Sequence, residues 1–152
     1  SSLINTTYLA FGTQGAARQE MQSANDAAAS SAAPAVAAER AATKATGLYT
    51  NSMWDLVDAT RDGTVKLEDM KEEDLPEEMR KMTKEERVAF VKAKQDERTK
   101  IQSDIAKLAQ ERDAFIAQKR TEMSQQEAPT FGEALLKAIR EQGTKKGYEF
   151  KK

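Results

Sequence analysis

Six residues between Asp58 and Asp69 have the types and spacing to hold a hard cation. Asp58, Thr60, Asp62, Gly63, Val65 and Asp69 stand at positions one, three, five, six, eight and twelve of a twelve-residue stretch. A calcium-binding EF-hand loop places oxygen ligands at one, three, five and twelve, glycine at six for a sharp turn, and an apolar residue at eight. Two residues oppose that chemistry. Lys66 puts a positive charge at position nine, and Asp69 is one methylene shorter than the glutamate that grips calcium with both oxygens. No second loop is present to pair with it. The same residues also read as a helix end, with Arg61-Asp62-Gly63 as its turn. On the first reading Asp58, Asp62 and Asp69 are metal ligands and the chain is a weak calcium-binding module. On the second there is no metal and no cofactor.

Other chemistry is narrowed by composition. The 152 residues include no cysteine and no histidine, which removes thiol catalysis, disulfides, zinc and iron–sulfur sites, and imidazole bases. Gly12-Thr-Gln-Gly15 lacks the lysine of a phosphate-binding loop and reads as a turn. With 24 basic and 25 acidic residues the net charge is −1, which gives no footprint for nucleic acid. No apolar run approaches the roughly 20 residues of a membrane span, and no signal peptide opens the chain. The 39% hydrophobic content includes 25 alanines, and aromatics make up only 6%. Large sheets need more β-branched and aromatic material than this. The composition favours a structural or interaction module over an enzyme.

The elements follow from punctuation and periodicity. Residues 1–15 mix Leu3, Ile4, Tyr8, Leu9 and Phe11 with turn formers, and read as the end of a preceding domain or a docking segment. Residues 16–47 are alanine-rich and helical, broken at Pro34. Their apolar face is Ala17, Met21, Ala24 and Ala28, then Val36 and Ala37, with Gly47 as the closing cap. Ser52 and Asp55 open the next helix, whose face is Met53, Leu56 and Val57, and Trp54 should anchor a local core. Pro76 among acids reads as another helix start.

Thr83-Lys-Glu-Glu86 is a capping box that opens the longest helix, about 84–125, spanning about 60 Å. Along it Val91, Arg98, Ile101, Ile105, Leu108, Arg112 and Phe115 recur at spacings of three and four. The apolar part of this seam is Ile101 to Ile116. Lys94, Arg98 and Arg112 dilute the rest, and Arg98 also reads as one charge of a solvated face with Glu97, Asp104, Lys107 and Glu111. After Pro129, Thr130-Phe-Gly-Glu133 opens a short helix with Leu135, Leu136 and Ile139 inward and Gly143 as its stop. Tyr148 and Phe150 could add one extended segment. The fold class is therefore all-α: several antiparallel helices including one long helix (about 84–125), with an Ala-rich N-terminal helical segment and a helical module over 48–152.

Several blocks resemble a known family. Tyr49-Thr-Asn-Ser-Met-Trp-Asp-Leu-Val-Asp-Ala59, Glu73-Asp-Leu-Pro-Glu-Glu-Met-Arg80 and Thr83-Lys-Glu-Glu-Arg87 resemble the C-terminal region of bacterial von Willebrand factor type A (VWA) domain proteins. Glu97-Arg-Thr-Lys-Ile-Gln102, Leu108 to Arg112 and Ala138-Ile-Arg-Glu-Gln142 continue the likeness. The opening Leu3-to-Gly12 block resembles the segment that ends the VWA domain itself. The resemblance implies export by Gram-negative bacteria and a periplasmic or cell-envelope location. The VWA adhesion site, Asp-x-Ser-x-Ser, is not in this chain, so metal-dependent adhesion transfers to no residue here.

The reading that results is a non-catalytic, structural or protein-interaction module: the C-terminal tail of an exported VWA-domain protein. Its expected partners are its own VWA domain or other subunits of an envelope assembly, with no nucleic acid and no membrane insertion. Burial yields about 25 cal/mol per Å² against roughly 1.5 kcal/mol of ordering entropy per residue. The alanine-rich third brings too little apolar area, so partner contact should supply the remainder. Leu3, Tyr8, Phe11, Trp54, Val57, Ile105 and Phe115 are the residues expected to pack inside or against that partner.

Overall fold

The computed structural model describes residues 1–126 and 131–148. All named elements among them are helical: α1 (Ser2–Asn5), α2 (Gly15–Ala32), α3 (Pro34–Lys44), α4 (Leu56–Arg61), α5 (Lys84–Gln126) and α6 (Phe131–Lys145). The only extended pairing among the described residues is one isolated antiparallel bridge, Ala10 with Asp55. The chain divides into two compact units, Ser1–Glu111 and Arg112–Lys152. The opening 15 residues and the alanine-rich helices thus fold within the first unit.

Local sequence rules account for most boundaries. Ala33 is extended (φ −169°, ψ 153°), as a residue before proline tends to be, and Pro34 then starts α3 where its missing N–H costs nothing. The capping box at α5 forms reciprocally: Thr83 N donates to Glu86 Oε2 at 2.8 Å, and Glu86 N to Thr83 Oγ1 at 3.2 Å. Helix α4 begins one turn later than expected. Its cap is Asp55, whose carboxylate accepts from Asp58 N, rather than Ser52, and Met53 is left 91% exposed. Gly63, at φ +70°, turns the chain after α4.

The segment from Leu67 to Met79 forms three single 3₁₀ turns, Leu67–Asp69, Glu72–Asp74 and Glu77–Met79, instead of an α-helix from Pro76. Leu75 is extended ahead of Pro76, and only six residues separate that proline from the Thr83 cap. Buried Leu75 and Met79 pin the segment.

Helices α2 and α3 pack together, but not through the expected face. Ala17, Met21, Ala24, Ala28 and Val36 are exposed, and Ala37 is half-buried. The inward residues of α2 are Gly15, Gln22 and Asp26. Alanine gains little from burial, whereas Asp26 and Gln22 meet cations inside, so the polar stripe turns inward. Gly15 is required there, because a Cβ would lie 3.0 Å from the Ala10 carbonyl carbon. Helix α3 ends at Lys44 with Ala45 in the right-handed region, so Gly47 is not the cap.

Two apolar clusters form the core of the first unit. One joins Leu9, Leu56, Val57, Leu75, Met79 and Val91, with Phe11 packed on it. The other joins Ile4, Tyr8 and Trp54, with Ile101 and Ile105 against it. Residues 1–11 feed both. Leu56 N donates to Leu9 O at 2.8 Å, Phe11 N to Trp54 O at 2.9 Å, and Gly12 N to Asp74 O at 3.0 Å.

In the second unit, α6 does not turn its apolar residues inside: Leu135, Leu136 and Ile139 are about half exposed. Its stop is Gly147 (φ +84°), not Gly143. Tyr148 N donates to Gly143 O and Gly147 N to Thr144 O, both at 3.0 Å, which is a Schellman ending. Thr130, the expected cap of α6, and Phe150 of the expected extended segment lie outside the described residues.

Candidate functional site

Charged and hydroxyl side chains occupy the centre of the first unit. Thr7 and Asp55 are 0% exposed, Lys44 1%, Asp58 2% and Arg98 3%. Buried ions are costly unless paired and hydrogen-bonded, and here they are. Arg98 Nη1 donates to Asp55 Oδ2 at 2.6 Å and to Asp58 Oδ1 at 3.0 Å. Its Nε donates to Thr7 Oγ1 at 2.8 Å and its Nη2 to Thr7 O at 2.7 Å. Asp55 also accepts from Leu9 N at 2.8 Å and Asp58 N at 3.1 Å. Asp58 accepts from Asn51 N at 2.7 Å and pairs with Arg61 at 3.0 Å. One guanidinium thereby ties residues 1–11, α4 and α5 together.

A second charged group joins α1, α2 and α3. Asp26 Oδ2 accepts from Lys44 Nζ at 2.8 Å and from Asn5 Nδ2 at 2.7 Å, while Oδ1 accepts from Arg40 Nε. Lys44 donates to Asn5 Oδ1 as well. With its amide oxygen turned to these cations, Gln22 accepts from Lys44 Nζ at 3.1 Å. The two groups meet at Tyr8. Arg98 Cζ lies 4.7 Å and Lys44 Nζ 5.4 Å from its ring centroid, both within cation–π range. The Trp54 ring packs on Tyr8 at 5.0 Å, tilted by 60°. Among the described residues no buried side-chain polar atom lacks a partner.

Burial and pairing pull these groups in different directions. Burial pushes the Tyr8 hydroxyl well above its ordinary range, and the nearby Tyr49 hydroxyl adds to that. Burial lowers Lys44, against the opposing pull of Asp26. Burial raises Asp58, and neither Asn51 N–H nor Arg98 reverses this. For Asp26 burial also acts upward, but hydrogen bonds from Lys44, Arg40 and Asn5 outweigh it and hold the carboxyl below the usual range.

Asp26 therefore binds its proton less readily in the folded chain than in the unfolded one. Its stabilisation is full above the ordinary carboxylate pKa and is lost as pH falls through the lower folded value. Asp58 has the reverse sign, since acid relieves its cost. Asp26→Asn should lower stability by about 1–3 kcal/mol at neutral pH. The gap from wild type should narrow steadily below about pH 4 in urea titrations. A gap that stays constant with pH would refute this assignment.

The expected calcium ligands do not converge. Asp58 turns into the core, Asp62 accepts from Arg61 Nε and Thr50 Oγ1 at 2.8 Å each, and Asp69 is exposed on a 3₁₀ turn. No group of three carboxylates among the described residues could hold a metal ion. The turn reading of Arg61-Asp62-Gly63 matches the geometry.

Of the residues expected to pack, Tyr8, Trp54 and Val57 are buried, and Phe11 and Ile105 are half-buried, all against this chain's own clusters. Leu3 and Phe115 are instead exposed, at 65% and 59%. Ile4 takes the inward place on α1, and Phe115 lies in the second unit with Lys119 Nζ over its ring at 5.7 Å. Arg98 was expected in solvent and is the centre of the site. Its signal was its place on the α5 seam, where a charge must find a partner or leave the helix face open. Lys44 and Asp26 carried no such signal. No family model, curated protein or solved structure matches the chain.

Proposed function

We propose that this chain is a non-catalytic protein-interaction module, the C-terminal part of an exported bacterial VWA-domain protein, packing on its own VWA domain or an envelope assembly partner. The observation that supports the interaction reading is the exposure of Leu135, Leu136 and Ile139 on α6, with Phe115 and Met123 on α5 of the same unit. Apolar side chains in solvent at helical spacing gain free energy when a partner covers them. The buried charges of the first unit engage one another, which suits a scaffold. No helix among the described residues is long and apolar enough to cross a membrane. The envelope location and the VWA domain rest on the sequence resemblance.

The test is the intact mass and N-terminal sequence of the native protein from fractionated cells. A periplasmic species well above 16.8 kDa, with Asp-x-Ser-x-Ser upstream, supports the reading. A cytoplasmic species near that mass would sink the VWA part. For the interaction itself, Leu136→Asp with Ile139→Asp should shrink the native assembly on size exclusion and leave helical circular dichroism unchanged. An unchanged assembly would sink the interaction part alone.

A further inference from the structure

Between the start of α2 and the loop that leads into α4 lies a cleft of about 420 Å³, with Gln14 and Arg18 on one side and Thr50 to Trp54 on the other. Small-molecule sites begin at about 300 Å³. Trp54 is only 8% exposed, and its indole N–H has no acceptor among the described residues. Among the described residues no buried side-chain polar atom lacks a partner, so this donor reaches an accessible edge of Trp54, a residue that lines the cleft. A tryptophan N–H so placed ordinarily finds an acceptor.

The surrounding charge selects the acceptor. Arg18 is exposed and has no carboxylate partner among the described residues. Gln14 begins α2 without a side-chain cap, and no acid stands in the first turn of this 18-residue helix. The positive end of the helix is therefore uncompensated beside the cleft. Asp62, linked to the rim through Thr50, is already matched by Arg61. Met53, 91% exposed, supplies an apolar wall. We propose that this cleft binds a small apolar monocarboxylate, its oxygens accepting from the Trp54 indole N–H and from Arg18, and its apolar body resting on Met53. This goes beyond the protein-interaction reading and does not depend on it.

Trp54 is the only tryptophan, so its fluorescence and its one indole N–H resonance report the site directly. Titration of the full chain with benzoate should give a saturable downfield shift of that resonance, with Kd near about 1 mM or tighter. Benzyl alcohol, which lacks the charge, and inorganic phosphate, which lacks the apolar body, should each bind at least about tenfold more weakly. Arg18→Gln should weaken benzoate by about tenfold or more with an unchanged melting temperature, because Arg18 holds nothing else in place. The proposal is overturned if benzoate leaves the resonance unmoved up to about 10 mM. It is also overturned if Arg18→Gln binds as wild type does, or if phosphate competes on equal terms.

Discussion

Arg98→Met should cost about 3–5 kcal/mol of unfolding free energy, a large share of the total for a domain of this size. Methionine fills much of the same volume, so the loss comes from what remains behind. Asp55 and Asp58, both buried, would face each other without the cation that Arg98 Nη1 provides to both. Thr7 would lose donors to its hydroxyl and its carbonyl together. Residues 1–11 would then keep their backbone bonds to Trp54 and Leu56 and the Lys94 bond to Thr6 O, but lose the buried hydrogen bonds that join Thr7 to α5. The measurement is urea unfolding followed by circular dichroism, with Lys100→Met, an exposed change on the same helix, as control. The control should stay within about 0.5 kcal/mol of wild type. A double cycle with Asp55→Asn should show strong coupling, since the two groups share one contact. Equal losses for Arg98→Met and Lys100→Met would overturn the role given to Arg98.

Trp54→Ala should lose about 3–5 kcal/mol by a different route. The indole fills the space between Ile4, Tyr8, Ile101 and Ile105. Removing it leaves a cavity and also uncovers Tyr8, whose ring is held at 5.0 Å from the indole. Loss of that aromatic pair adds about 0.5–1.5 kcal/mol to the transfer cost. Trp54→Phe keeps most of the apolar volume and should lose only about 1–2 kcal/mol. Guanidinium unfolding read by circular dichroism distinguishes them, because the fluorescence probe is itself removed. A Trp54→Ala loss no larger than that of Trp54→Phe would show that the indole is not a core anchor.

The long helix, the Pro34 break, the Thr83 capping box and the anchoring tryptophan were all readable from the sequence. The first three depend on residues within one or two turns of one another, and the tryptophan on the area it can bury. What could not be read depends on distance along the chain. Arg98 meets Asp55 across 43 residues and Thr7 across 91, and periodicity assigns a lone charge to solvent by default. The same default turned α2 the wrong way: alanines defined an apolar face, but the cations on α3 and the amide of Asn5 made Asp26 the better residue to bury. In the Asp58–Asp69 stretch the turn was legible from Gly63. The direction of the Asp58 carboxylate was not, because a guanidinium 40 residues away sets it. Leu3 was expected inside on hydrophobicity alone, and Phe115 on the seam of α5, which is exposed at Leu108 and Phe115.

The tie between Thr7 and Arg98 also sets an order of events during synthesis. Ribosomes deliver about 5–20 residues per second, N-terminus first. Ile4, Tyr8 and Leu9 therefore emerge many seconds before the helix that completes their surroundings. Until Arg98 clears the exit tunnel, Asp55 and Asp58 lack their shared counter-charge and Tyr8 lacks one of its two cations. Closing a loop of some 90 residues is entropically slow to begin. Residues 1–11 thus gain the cover of Trp54, Leu56 and Val57 before that of Val91 and Ile101.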